Sequence, residues 1–421
     1  MSKVSTPSPQ RPVKTLALWE LIALTAAFMA MNALSIDIVL PALKTIGDTI
    51  GASEHQRPLM ITAYIFGFGI SQLFYGPIAD AVGRRATLLV SLVGYLIATL
   101  LCFMVHDLTW MLVARALQGV ASAGTRVIAM AVIRDSVSGR KMAQVFSIAM
   151  TVFMAAPILA PSIGQGILFI ADWHWIFIAL FIAGAGLLVW SYFRLPETRA
   201  VEDRTPLSLG SALKGYWIVM QNRITLGYLL ASCFVFGSLF SFISLADQML
   251  GEKYHLGARF PLAFAGIALG LMVTNILNAK LVERVGMRRL SHGALVGFIV
   301  INLSVTLWTF TLGEPPFWVF YAGIAGTLMM FGLLGANFSA LVMEPAGHHA
   351  GTAAALFGSA TAVAGAAIGS IIGALYNGSV LPFVTGQVIM GVAAIILVLW
   401  TERGRLFGEG VYEAVQKDEA A

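Results

Sequence analysis

Long apolar runs, broken by short polar interruptions, divide this chain of 421 residues. Twelve of them reach the roughly 20 residues that a helix needs to cross about 30 Å of hydrocarbon. They fall near 18–40, 59–79, 86–105, 109–131, 143–169, 174–193, 224–245, 260–280, 290–311, 317–341, 351–375 and 380–400. The runs are continuous rather than alternating. That fits helices, which close their backbone hydrogen bonds within each segment, better than the strands of a barrel. The pattern predicts an all-α membrane protein with twelve transmembrane helices.

The interruptions carry a repeat. Gly76-Pro77-Ile78-Ala79-Asp80-Ala81-Val82-Gly83-Arg84-Arg85 is a charged hairpin between spans 2 and 3, and a weaker copy, Leu281 to Arg289, lies between spans 8 and 9. Asp80 and Glu283, like Gly83 and Gly286, stand 203 positions apart. The longest polar connection, 194–223, falls midway. The chain is therefore expected to be an N-terminal tail (1–17), a six-helix bundle (18–193), a linker (194–223), a second six-helix bundle (224–401) and a C-terminal tail (402–421). Within the linker, Leu209, Leu213, Tyr216, Trp217 and Met220 have the spacing of an amphipathic helix lying on a membrane surface. It serves as a tether or, less simply, as a binding element. Membrane proteins built from internal repeats are typically transporters, with the substrate path between the repeats.

Composition agrees with a membrane protein. Hydrophobic residues make up 58% of the chain and charged ones 11%, with a mean hydropathy of +0.84. If the N-terminus is cytoplasmic, 20 of the 26 Lys and Arg residues lie in inner segments. Only Lys44, Arg57, Lys253 and Arg259 lie in outer loops, and Arg115 and Arg126 fall inside spans. The positive-inside rule then places both termini in the cytoplasm. The net charge of +5 reflects this bias and not an affinity for nucleic acid. The first run is too long for a cleavable signal and is expected to stay as an anchor. Cys102 and Cys233 lie in spans, where they pack rather than form a disulfide. No nucleotide-binding loop and no metal-ligand spacing occurs, so energy must come from an ion gradient or from the substrate's own. No metal or organic cofactor is expected.

Ionisable residues inside a bilayer are functional candidates by default. Asp37 and Arg115 lie at similar depths near the outer ends of spans 1 and 4, and would meet if those helices are neighbours. Such a pair could carry protons or be a static tie; alternatively Asp37 caps or snorkels at the surface. Arg126, nearer the inner side of span 4, either lines a central cavity, pairs with Glu20, or snorkels inward. Amides inside a bilayer need partners. Asn32, Tyr64, Gln118, Asn275, Asn278 and Asn337 are therefore candidates for substrate contact or for helix–helix ties. Span 7 offers an aromatic, weakly polar wall containing Phe236 and Phe240 and ends at Asp247; aromatic residues in membrane helices also commonly face lipid or core. In span 5, Pro157 and Pro161 each remove a helix hydrogen bond. Ala160, Ser162, Gly164 and Gly166 allow a neighbouring backbone to come close. In the first hairpin, Gly76 and Gly83 permit tight turning, Asp80 is placed to accept backbone N–H groups at a helix N-terminus, and Arg84 and Arg85 hold the inner face. That basic pair sets topology, latches a conformation, or both.

Taken together, the hairpin, Leu112–Gly119, Ala156–Gly164, Trp173–Phe177, Met343–Gly347 and Ala350–Ala355 resemble the major facilitator superfamily over about 20–400. Asp37 followed by Pro41-Ala42, with Ala160-Pro161, is similar to its twelve-span drug:proton antiporters of the bicyclomycin-resistance and chloramphenicol-efflux type. The chain departs from that pattern at Ala160 and Gln165, where glycines are usual, and at Leu245-Ala246-Asp247. The resemblance implies two pseudo-symmetric bundles working by alternating access in a bacterial inner membrane. It implies proton-driven efflux of small amphiphilic molecules by a monomer, with Asp37 and Arg115 in proton coupling and the first hairpin as a conformational latch. The alternative is an exporter dedicated to one metabolite, for which Arg126 suggests an anion. A membrane enzyme or receptor is disfavoured by the lack of a catalytic cluster.

Overall fold

The computed structural model describes residues 16–204 and 206–408, and its regular elements are all helical. The tails expected at 1–17 and 402–421 lie largely outside the described residues. In the first half, α1 is Leu18–Asp37, α2 Leu43–Ile50, α3 Leu59–Val82 and α4 Arg84–Met104. It continues with α5 Leu108–Ser136, α6 Gly139–Ile170 and α7 His174–Arg194. The linker contributes α8, Leu209–Met220. In the second half, α9 is Arg223–Ala246, α10 Phe260–Val285, α11 Met287–Leu312, α12 Phe317–Met343, α13 Ala350–Leu375 and α14 Leu381–Thr401. Among the described residues, 12 helices are long and apolar enough to span a membrane. All but the short α2 and the linker's α8 correspond to predicted spans.

Helix pairing repeats between the halves. α3 packs on α5 as α10 packs on α12, α4 on α5 as α11 on α12, and α1 on α6 as α9 on α13. Likewise α4 meets α7 as α11 meets α14, and α1 meets α5 as α9 meets α12. The two main contacts between halves also exchange under the same relation, α3 on α13 and α6 on α10. This is the pseudo-two-fold arrangement that the 203-residue repeat predicts.

Small residues set the closest approaches, as expected where lipid supplies no hydrophobic force between helices. A Cβ at Gly67 would strike the Ala116 carbonyl, and one at Gly119 the Tyr64 carbonyl, so α3 and α5 touch backbone to backbone. Gly164 brings α6 against the Ile38 carbonyl at the end of α1. Ser162 and Gly166 are exposed, so of the small residues flanking Pro161 it is Ala160 and Gly164 that are buried. α1 stops at Asp37 rather than running to 40. Pro41 disfavours helix in the residue before it and cannot donate to the ladder; the chain makes a 3₁₀ turn at Leu40–Ala42 and enters α2.

The two hairpins lie at one end of the bundle, the hairpin end. At the opposite, far end the halves are tied by Arg57 to Glu252 (3.0 Å) and by Gln248 Nε2 donating to the Glu54 carbonyl (2.6 Å). Ion pairs between described residues at the hairpin end stay within one half or reach the linker. The linker forms the helix α8. Leu213 and Trp217 are exposed on one side, while Tyr216 donates to the Leu73 carbonyl of α3 (2.9 Å) and Gly215 sits against Thr352 of α13. The tether thus touches both halves.

Candidate functional site

The first half encloses a polar core where α1, α3 and α5 meet. Asn32 donates to Tyr64 Oη (3.2 Å) and Ser122 Oγ (3.0 Å), and Tyr64 donates to Ser122 Oγ (2.7 Å). Ser35 and Tyr95 share a hydrogen bond of 2.7 Å. Arg115, 0% exposed, is held by neutral acceptors: Gln118 Oε1 at 2.6 Å and the carbonyls of Ser35 and Met60 at 3.2 Å. Its guanidinium also lies 4.7 Å from the Tyr64 ring, a geometry in which the ring's quadrupole offsets part of the lost hydration. Gln118 passes the chain on to Thr99 Oγ1 at 2.8 Å, tying α5 to α4.

Asp37 is 4% exposed and makes no hydrogen bond or ion pair with any described residue. The expected Asp37–Arg115 ion pair is therefore not formed, although α1 and α5 are neighbours. Similar depth along two helices does not fix the direction in which each side chain leaves its axis, and Arg115 turns to the α1–α3 backbone instead. Nor does Asp37 snorkel. It is a buried carboxyl without a partner among the described residues, and burying an isolated carboxylate is costly.

Arg126 is half-buried and lies 5.8 Å from the rings of both Phe68 and Phe153. No described acid pairs with it. The Glu20 alternative is excluded, because Glu20 accepts from Arg194 Nε (2.6 Å) and Nη2 (2.7 Å) and from Trp190 Nε1 (3.3 Å). This guanidinium, about 15 Å from the end of α5 at the 1.5 Å helical rise, donates to no described residue.

Across the seam, the second half presents rings. Phe236 lies 6.3 Å from Phe240, 5.0 Å from Phe331 and 5.7 Å from Phe357, joining α9, α12 and α13 in edge-on and tilted contacts. Phe331 and Phe357 do not stand out in the sequence, since isolated phenylalanines in apolar runs carry no signal. Behind this wall, Gln387 contacts Ser238 and donates to Ser241 Oγ at 3.2 Å. Ser238, Gln387, Asn302 and Thr327 line a cavity of about 10 Å³, at the lower limit for one water. Asn337 donates to Asn278 Oδ1 at 2.7 Å, which ties α12 to α10, and Asn275 bonds the Leu271 carbonyl of its own helix.

The hairpins show how each half is closed at its basic end. Gly83 has φ +113° and Gly286 φ +85°, conformations that favour glycine at both bends. Gly76, by contrast, lies inside α3 with open space around it, so it makes neither a turn nor a close approach. Arg84 is buried against Asp80 (2.6 Å) and Asp135 (3.0 Å). The N-terminal amides of α4 are capped by Glu197 of the linker, at 2.8 Å from Arg84 N and 3.2 Å from Arg85 N, and not by Asp80 as expected. Asp80 instead pairs with Arg84 and with Arg199 (3.4 Å). Arg85 donates to the Tyr192 carbonyl at 2.6 Å. In the second half Arg288 bridges Glu344 and Glu402, each at 2.9 Å.

Residues 25–370 match the family model described as Major Facilitator Superfamily. The chain belongs to that superfamily. It is 29% identical over 346 residues to an uncharacterised transporter of this type, YdgK of Bacillus subtilis, covering 82% of this chain and 86% of the relative. It is 27% identical over 367 residues to a bicyclomycin resistance protein homologue of Haemophilus influenzae, covering 86% and 90%. In fold it is similar to the partially occluded, inward-open xylose transporter XylE of E. coli, with a TM-score of 0.73 at 12% identity, over 94% of this chain and 99% of that one. This facilitator is thus a multi-pass membrane transporter. Its polar core (Asn32, Tyr64, Arg115), the unpaired Arg126 and the phenylalanine wall come from opposite halves.

Proposed function

We propose that this transporter exports small amphiphilic, drug-like molecules in exchange for protons, by alternating access, from a bacterial cytoplasm across the inner membrane. The hairpin end is then the cytoplasmic end, a reading that the distribution of basic residues supports. The single observation that carries coupling is Asp37: a buried carboxyl on a spanning helix, with no donor or counter-ion among the described residues to hold its charge. Asp37 takes a proton from far-side water when the far end is open, is carried neutral through the closed state, and gives the proton up to cytoplasmic water when the hairpin end opens. No cofactor is needed, because the proton gradient supplies the energy. The phenylalanine wall supplies apolar contact area without directional demands, and the homologue named for bicyclomycin resistance supports a drug-like substrate.

Arg126 favours a second reading, an exporter of one anionic metabolite. A guanidinium with no acid partner among the described residues is ready to take a carboxylate or phosphate in bidentate fashion. Accumulation of bicyclomycin and of a set of neutral, cationic and anionic compounds in inside-out vesicles, with the lumen acidified, separates the two. Export by exchange predicts uptake that collapses when the proton gradient is dissipated. Uptake indifferent to the gradient refutes the coupling, and uptake of anions alone selects the second reading.

A further inference from the structure

Asp247 is a buried carboxyl with no part in the proposed proton exchange, and the role inferred for it rests on that exchange. It comes directly after α9 and opens a seven-residue π-helical turn, Asp247–Lys253. Such turns recur at functional sites. Asp37 closes α1, and α1 and α9 hold corresponding places in the two halves. Each half therefore carries a buried acid at the same end of the same helix. Asp247 is 8% exposed and, like Asp37, has no hydrogen bond or ion pair with a described residue.

Asp247 also lines a cavity of about 370 Å³ on the seam between halves at the far end, together with Lys44, Gln165, Asp172, Trp173 and Glu252. The charged groups facing it are Lys44 from α2, Arg57 from the turn before α3, Asp172 from the α6–α7 turn and Glu252 from its own turn. The 3₁₀ turn before α10 contributes Gly257 and Ala258, and α10 itself Phe260, none of them charged. Neither cation bonds Asp247: Lys44 is drawn to Asp48 (3.6 Å), and Arg57 binds Asp48 (2.6 Å) and Glu252 (3.0 Å).

The turn that Asp247 opens supplies both far-end ties, Gln248 to Glu54 and Glu252 to Arg57. Closing the far end therefore encloses Asp247 beside the seam cavity, with a second acid, Glu252, in its own turn. A neutral carboxyl accepts that environment and a carboxylate does not. We infer that Asp247 is a second proton-binding site, which gates the far end rather than carrying protons across. A proton from far-side water reaches the carboxylate through the seam cavity and neutralises it, and the halves close. The same proton returns to the same side when they open. Acid therefore favours closure.

The test uses the full chain in nanodiscs, with Cys102 and Cys233 changed to alanine and spin labels on His55→Cys and Asn377→Cys, two exposed turn positions in opposite halves. Pulsed dipolar spectroscopy should show the short-distance population growing as pH falls. Asp247→Asn should hold the short distance at every pH, Asp247→Glu should restore a pH response with a displaced midpoint, and Asp37→Asn should leave the response in place. A wild-type response in Asp247→Asn, or no response in the parent chain, overturns the inference. A normal response with no gradient-driven transport instead sinks the proposed exchange and leaves the gate standing.

Discussion

The two halves share one pairing of helices but not one chemistry. Each half keeps a buried acid at the far end, Asp37 or Asp247, but within its spanning helices only the first half buries an arginine on neutral acceptors, Arg115, and leaves another, Arg126, between two rings with no described acid. Inside the second half the corresponding region is built from amides, hydroxyls and phenylalanines, with Arg288, Glu344 and Glu402 gathered at its basic end. Repetition of the fold supplies a frame in which one half can rock against the other. Asymmetry in charge supplies what the frame acts on. A charge that is costly to bury is useful only where its surroundings change, whereas a fully paired network stiffens the element that holds it.

The largest effect on folding is expected from breaking that paired network. Arg288→Ala would leave Glu344 and Glu402 facing each other without a cation, at a cost of about 3 kcal/mol, the low end for buried pairs because both acids keep some exposure. Thermal unfolding in detergent should show a clear drop in Tm. Removing Asp37, which has no partner among the described residues, should leave Tm nearly unchanged. Equal losses in the two variants would erase the distinction between paired and unpaired charges.

Helix packing sharpens the comparison at the next level. Gly119 meets the fixed carbonyl of Tyr64, whereas its counterpart contact in the second half, Gly332, meets the Thr274 hydroxyl, which can rotate away. Gly119→Ala should cost about 1–3 kcal/mol, as overpacking does, and Gly332→Ala less. The same unfolding measurement ranks them. A smaller change is expected from Glu197→Gln, which keeps an acceptor at the start of α4 but loses the charge: roughly 0.5–1 kcal/mol, within the range for a helix N-terminus.

Arg126→Met should hardly move stability, since no described acid depends on it. Affinity for anionic compounds should fall by about tenfold or more, the worth of one charge-assisted hydrogen bond, while neutral apolar compounds change little. Competition assays in proteoliposomes read this directly. Uniform loss across all compounds, with a lowered Tm, would make Arg126 a structural residue.

Much of the frame was legible in the sequence, because span length and the recurring acid–glycine–arginine hairpin are local signals. Twelve spans, the linker helix and the relation between the halves all follow from them. The partners of the charged residues were not legible. Glu197, Glu344 and Glu402 reach their arginines across 56 to 114 residues of chain, and nothing local marks those meetings. Asp37 and Arg115 agree in depth but not in direction, so the expected ion pair failed. Arg115→Ala would therefore not strand an acid. Its cost would instead come from the freed acceptors on Ser35, Met60 and Gln118.

Coupling through the unpaired acid of the first half is tested most directly by proton movement itself. Purified protein in liposomes loaded with a pH-sensitive dye can be challenged with an outward-directed gradient of a transported compound. Exchange through Asp37 predicts a substrate-dependent pH change in the wild-type chain, none in Asp37→Asn of unchanged Tm, and recovery in Asp37→Glu. A full pH change in Asp37→Asn would contradict the assignment.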